Sequence, residues 1–221
     1  WQRPGTDMDA QPATRIWLAS LDDAADTAID AGVDWLSDDE ATRLQAMTSD
    51  VRRRSFLAGH WQARVLAAGW LQVHARRIAL HRHDDGRPCL SVDGDPSALS
   101  LSLSHSGDWL AIALATVPVG IDVELPRRPR DLQALARFTF SPEEVAGLDG
   151  LDDAGYCAAF HRLWTLKEAR GKRSGTGLLP GESRRVTSLP SDADTAEATS
   201  WAFGDGALSI ASDPGTRVEI V

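Results

Sequence analysis

Ser141-Pro142-Glu143-Glu144, followed by Leu148 and then by Phe160 at the head of an apolar helical stretch, repeats a pattern already written once in the chain. The earlier copy is Ser37-Asp38-Asp39-Glu40, with Leu44 and Phe56 after it, 104 residues upstream at each position. A serine with a glutamate three residues on, ahead of a helical run, is a capping-box pattern, in which each side chain satisfies the other's backbone amide. Equal spacing at several separate positions implies a duplicated unit. The expected fold is therefore α/β (α+β): two similar halves, each a small sheet packed with a long helix. Residues 1–117 form the expected N-terminal half and 118–221 the C-terminal half. A chain of 221 residues can bury a core in each of two such units of about a hundred residues.

Outward from the repeat, a long helix is expected over residues 50–80, with a break near Gly69. Strands are expected at 87–92, 99–105 and 109–115, bounded by Ser106-Gly107-Asp108 and Thr116-Val117-Pro118. Another strand, 119–123, follows a seam near Pro118, and helical pattern resumes at 131–138 and 155–172. Gly171, Gly175, Gly177 and Pro180 end that helix. The tail, 186–221, reads as loop with two or three short strands.

Composition narrows the function. Apolar residues are 43% and charged residues 25%, as in ordinary globular proteins. No stretch reaches the roughly 18 uncharged apolar residues of a membrane span, and the first residues carry no secretion pattern, so a cytoplasmic setting is expected. Cys89 and Cys157, far apart and outside any CxxC, are expected as buried or half-buried thiols. A net charge of −9 argues against nucleic acid as a partner. Basic runs nonetheless occur at Arg52-Arg53-Arg54, at Arg127, Arg128 and Arg130, and at Arg170, Lys172 and Arg173.

Three elements could carry chemistry. Asp122 and Glu124 alternate along an expected strand, so both carboxylates share one face. Neighbouring carboxylates repel unless a cation lies between them, and hard oxygen ligands suit magnesium, although exposed Asp-x-Glu strands are common. His161, Trp164, Glu168 and Lys172 fall on one helical stripe, where Glu168 and Lys172 also read as a surface ion pair. Leu101-Ser102-Leu103-Ser104-His105-Ser106-Gly107 is a strand ending in a polar turn, with hydroxyl and imidazole groups that either brace the turn or donate to a phosphate. One hairpin brings His105 near Asp122, 17 residues on.

Taken in order, Ser104-His105-Ser106, Gly120-Ile121-Asp122-Val123-Glu124, Phe140-Ser141-Pro142-Glu143-Glu144 and Trp164-Thr165-Leu166-Lys167-Glu168-Ala169 resemble the motifs of phosphopantetheinyl transferases. The resemblance covers residues 36–180, and the doubled length resembles the two-half type that serves peptide and polyketide synthetases, which implies two halves related by a pseudo-twofold axis. It implies transfer of 4′-phosphopantetheine from coenzyme A to a serine of an apo acyl or peptidyl carrier protein, by a monomer. By position, Asp122, Glu124 and Glu168 resemble the carboxylates that hold Mg2+, with Mn2+ as a substitute; Glu168 is also the implied base. Glu144 and Trp164 resemble supporting residues. Ser104, His105 and Lys172 resemble groups that contact the coenzyme A phosphates, and Arg87 of Gly86-Arg87-Pro88, with Arg43, Arg54 and Ser55, the further contacts. Carrier docking is expected on Arg127, Arg128, Arg130, Arg170 and Arg173. A non-catalytic coenzyme A- or synthase-binding relative and another magnesium-dependent phosphotransfer enzyme are the rival readings. Gly171, at about 1 kcal/mol relative to alanine inside a helix, is expected to fray the turn that carries Lys172.

Overall fold

Both capping boxes form. The Ser37 amide donates to Glu40 Oε2 at 2.9 Å and the Glu40 amide to Ser37 Oγ at 3.3 Å; Ser141 and Glu144 do the same at 2.8 and 3.2 Å. The computed structural model describes residues 13–126, 130–178, 183–184 and 197–221. Each box opens a short helix, α2 (Asp38–Ala46) and α5 (Pro142–Ala146), that precedes a 22-residue helix, α3 (Asp50–Leu71) and α6 (Asp153–Ser174). The same glutamate in each copy is buried and ion-paired to the long helix behind it. Glu40 meets Arg64 and His60; Glu144 meets Lys167 at 2.9 Å.

The remaining elements are β1 (Ala13–Ser20), α1 (Leu21–Asp30), β2 (Ile78–Arg82), β3 (Pro88–Val92), β4 (Asp95–Pro96), β5 (Ser100–Ser106), β6 (Trp109–Ala115), β7 (Gly120–Glu124), α4 (Leu132–Thr139), β8 (Ala198–Phe203), β9 (Gly206–Ala211) and β10 (Arg217–Ile220). One sheet runs β10-β1-β6-β5, with β10 parallel to β1 and the other pairs antiparallel; another is β2-β3-β4; the last is β7-β9-β8, antiparallel. Alternation along β6 assigns its two faces. Leu110, Ile112 and Leu114 pack with Leu101 of β5 and with Ala63 and Ala67 of α3. Ala111, Ala113 and Ala115 meet Ile121, Val123, Leu208 and Ile210 of the β7 sheet. Small side chains on that face let the two sheets approach closely. The opposite face of the β7 sheet carries Gly120 and Ser209 against α6: a Cβ on Gly120 would lie 1.9 Å from the Ala169 carbonyl, and Thr165 and Ser209 hydroxyls are 2.6 Å apart.

Several sequence expectations are corrected. The helix expected over 50–80 ends at Leu71, because Gln72 turns left-handed at φ 56° and its amide bonds the Ala68 carbonyl. Ile78 and Leu80 then alternate into the core as strand β2, where a helix had been expected. Gly171 frays nothing: α6 continues to Ser174, and the glycine is needed because a Cβ there would stand 2.5 Å from the Gly177 carbonyl. β1 and α1 go beyond the sequence reading, and β10 returns from the tail to the sheet of the first half. Cys89 and Cys157 are half-buried free thiols, as expected. Among the described residues no helix is long and apolar enough to cross a membrane.

Candidate active site

The two sheets meet along β5 and β7, which are not joined by ordinary strand pairing. Serine hydroxyls of β5 take the place of carbonyls. Ser100, Ser102, Ser104 and Ser106 accept from the amides of Val119, Ile121, Val123 and Leu125 at 3.2, 3.0, 3.3 and 2.9 Å. Asp122 and Glu124 share the α6 face of β7, as strand alternation requires, and α6 brings Glu168 beside them. Ser104 Oγ donates to Asp122 Oδ1 at 2.7 Å, and Lys172 Nζ donates to the same oxygen at 2.7 Å. Lys172 also donates to the carbonyls of Ile121 at 3.0 Å and Leu103 at 3.3 Å, so each of its three hydrogens has an acceptor. Ser106 Oγ donates to Glu124 Oε2 at 3.2 Å, and Arg130 approaches Glu124 Oε1 at 3.4 Å. Burial pushes the Glu168 carboxyl above its ordinary pKa; Asp122 and Glu124 push it further, against the pull of Lys172.

From Ser104 and Lys172 a cleft of about 760 Å³ opens between the halves. α3 contributes Arg52, Ser55, Phe56 and His60; β2 and its turn contribute His81, Arg82, Asp85 and Arg87; Arg43 and His105 complete the rim. The guanidinium of Arg43 lies over the Phe56 ring at 5.0 Å, and burial and the facing Arg82 lower its pKa. Against a net charge of −9, five cationic side chains (Arg43, Arg52, Arg82, Arg87, Lys172) converge on one cleft, whose acidic lining residue, Asp85, is itself paired with Arg87 at 2.7 Å. Such a cleft attracts a polyanion.

Residues 118–212 match the model of the 4′-phosphopantetheinyl transferase superfamily, and residues 24–117 match the 4′-phosphopantetheinyl transferase N-terminal model. The 4′-phosphopantetheinyl transferase HetI of Nostoc is 31% identical over 85% of this chain and 80% of its own length. This chain belongs to the 4′-phosphopantetheinyl transferase family. Sfp of Bacillus subtilis, another transferase of the family, is 32% identical over 59% of this chain and 56% of its own length. A phosphopantetheinyl transferase of Thraustochytrium is 28% identical over 79% of the chain and 63% of its own length. The chain therefore spans between about half and four fifths of these relatives.

Within this family member, the structure sets Asp122 and Glu124 on one face of β7, near enough to Glu168 of α6 to act on its carboxyl, and places Arg43, Ser55, Arg87, Ser104, His105 and Lys172 along the cleft. It does not bring Arg54, whose guanidinium faces α1 and meets Asp22 at 3.2 Å and Asp26 at 2.9 Å. Two residues earlier, Arg52 is on the cleft side, since two steps of a 3.6-residue turn reach the opposite face. Glu144 is buried in its capping box and in its pair with Lys167, and so braces α5 against α6. Trp164 stacks on Phe160 at 5.8 Å against the apolar cluster of Phe140, Leu148 and Phe160, and so fixes the turn that precedes Glu168. Arg170 pairs with Glu197, and Arg173 with Glu197 and Asp213; Arg127 and Arg128 lie outside the described residues. Arg82, His60 and His81 were missed by sequence reasoning, and Arg52 was noted there only within its basic run. Their only sequence signal is basic character on α3 and β2, without a motif.

Carboxylate oxygens such as those of Asp122, Glu124 and Glu168 are chemically suited to a hard divalent cation. Among the described residues, no three His, Cys, Asp or Glu side chains are gathered closely enough to hold one. Ser104 and Lys172 occupy one oxygen of Asp122, and Ser106 and Arg130 bond Glu124.

Proposed function

We propose that coenzyme A lies in the Arg43–Arg82–Arg87 cleft with its pyrophosphate at the Ser104–Lys172 end, and that a carrier-protein serine attacks there. The observation that carries this reading is the continuity of a cationic cleft with a carboxylate cluster through the two residues that belong to both. The serine oxygen forms a bond to the phosphorus attached to pantetheine, the bridging P–O bond breaks, and adenosine 3′,5′-bisphosphate leaves. Glu168 takes the serine proton, directly or through water. Its raised pKa makes it a stronger acceptor than an exposed glutamate. The residues that would hold magnesium, or manganese in its place, are Asp122, Glu124 and Glu168; a bound cation would offset charge on the pyrophosphate and on the leaving phosphate.

In this reading the arginines of the first half hold the phosphates of the adenosine end, and His105, exposed at the rim, donates to the pyrophosphate. The chain acts as two halves, 1–117 and 118–221, a division supported by the boundaries of the two matched family models. The working form is a monomer, because both walls of the cleft come from one chain; its setting is the cytoplasm, as the sequence reading expects. The docking partner is an apo acyl or peptidyl carrier protein, met on the Glu124–Arg130 side of the site.

The test is the intact mass of an apo carrier protein after incubation with this chain, coenzyme A and magnesium. A gain of one phosphopantetheine that depends on metal and is lost in Glu168→Ala supports the reading. Coenzyme A binding without transfer to several carrier types overturns it.

A further inference from the structure

The turn between β2 and β3 reaches across to the other half of the chain. Gly86, left-handed at φ 86°, lets it close: the Gly86 amide donates to the His83 carbonyl at 2.8 Å, and the Arg87 amide to Asp85 Oδ1 at 3.0 Å. Asp85 Oδ2 accepts from Arg87 Nε at 2.9 Å and stands 2.7 Å from Nη2. Held this way, Arg87 donates from Nη1 to the Arg173 carbonyl at 3.0 Å, 86 residues away. All three nitrogens of the guanidinium thus meet oxygens of this chain.

Arg173 is in the last turn of α6, where carbonyls lack partners within the helix and the helix dipole favours a cation. In the same turn the Gly171 carbonyl is bonded from within the second half, by the Gly177 amide at 3.1 Å and Ser174 Oγ at 3.2 Å. The Arg173 carbonyl is instead capped from the first half. The fit is also close from the helix side: Gly175 is left-handed at φ 78°, and a Cβ there would stand 2.6 Å from Asp85 Oδ2 and 2.8 Å from Arg87 Nε. Asp85, Arg87, Lys172 and Gly175 all line the cleft, so this contact ties its two walls together. A half-exposed ion pair such as Asp85–Arg87 adds little stability by itself, and its effect here is to aim the arginine. We propose that Arg87 is a positioning residue that clamps the β2–β3 turn to the C-terminus of α6 and so sets the separation of the cleft walls.

Asp85→Asn separates this role from a direct contact with ligand. Asparagine Oδ1 keeps the bond from the Arg87 amide, while an amide nitrogen replaces Oδ2, the oxygen that aims the guanidinium. Coenzyme A binding is read by isothermal titration calorimetry, and opening of the clamp by hydrogen–deuterium exchange of peptides covering 83–87 and 171–175. The expected result is faster exchange in both segments and coenzyme A affinity lower by about three- to tenfold. The KM for coenzyme A rises with it, and the KM for carrier protein stays at the wild-type value. From the helix side, Gly175→Ala speeds exchange in 83–87. Gly177→Ala, also left-handed at φ 65° but with nothing within 4 Å of its Cβ, leaves that turn as in wild type.

Tighter coenzyme A binding in Asp85→Asn with unchanged exchange overturns the proposal, since Arg87 released from Asp85 would then be meeting the ligand itself. Unchanged affinity and exchange also overturn it, as does equal exchange of 83–87 in the two glycine variants. The affinity measurement rests on the coenzyme A reading above. A wild-type chain that binds no coenzyme A overturns that reading, and the exchange measurements still decide the clamp.

Discussion

Gly120→Ala tests the contact on which the site depends. β7 lies against α6 so closely that an alanine Cβ at 120 would stand 1.9 Å from the Ala169 carbonyl oxygen and 2.6 Å from the Arg173 amide. Both obstacles are backbone, so no rotamer change relieves them. Ordinary contact begins near 3.4 Å, which requires β7 to retreat from the helix by about 1.5 Å. Overpacking of this kind costs about 1–3 kcal/mol, and the rigid obstacles place Gly120→Ala at the upper end. At about 2–4 °C per kcal/mol for a chain of this size, the melting temperature should fall by about 6–12 °C. The retreat also separates Asp122 and Glu124 on the strand from Glu168 and Lys172 on the helix. A displacement of about 1 Å can cost on the order of a hundredfold in rate. Calorimetry and the rate of mass gain on an apo carrier, measured below the melting range, report the two effects separately. A melting temperature within about 2 °C of wild type together with full transfer would refute the close packing of β7 on α6 and the account of the site built on it.

Gly69→Ala is the opposite case: nothing lies within 4 Å of the added Cβ, so helix propensity alone should raise stability by about 0.5–1 kcal/mol in a urea titration. Arg64→Ala should cost about 3–5 kcal/mol in the same titration, because it strands the fully buried Glu40 carboxylate beside His60. Burial acts to raise the Glu40 pKa, but hydrogen bonds from His60, Arg64 and the Ser37 amide hold it down at about 2. A depressed carboxyl contributes stability that is complete above its unfolded value near 4.5 and is lost as pH falls toward 2. That contribution is about 3 kcal/mol. Glu40→Gln should flatten this part of an acid-unfolding profile, and an unchanged profile would count against the ion pair. Arg82→Ala should weaken coenzyme A binding at least about tenfold by isothermal titration calorimetry, whereas Arg54→Ala should leave it unchanged.

Much of this protein was legible along the chain. The two capping boxes lie within four residues each, and their hydrogen bonds depend on nothing farther away. Strand alternation placed Asp122 and Glu124 on one face before any fold was known, and the order of four motifs indicated the family that the comparisons bear out. The errors were also local in origin. The helix expected to reach residue 80 overlooked the left-handed Gln72, since glutamine carries no propensity signal for that conformation. Gly171 was read as a weak point in α6, when the approach of Gly177 makes a side chain there impossible.

Tertiary structure decided the partners of each functional side chain. A helix turns by about 100° per residue, so Arg52 and Arg54 face opposite directions, and only the packing of α1 against α3 determines which of them meets the cleft. Ser104 was tied to a coenzyme A phosphate by the family resemblance, and what the fold adds is a bond from its hydroxyl to Asp122, 18 residues away, set by the register of β5 against β7. Lys172, expected to reach a pyrophosphate, is placed by α6 among the Leu103 and Ile121 carbonyls and Asp122. The sequence by itself determined the two capping boxes and the alternation of β5, β6 and β7, because those features are settled by neighbours a few residues away. Which faces meet, and therefore which charge ends beside which, was decided only by the packing of strands and helices that are remote in the chain.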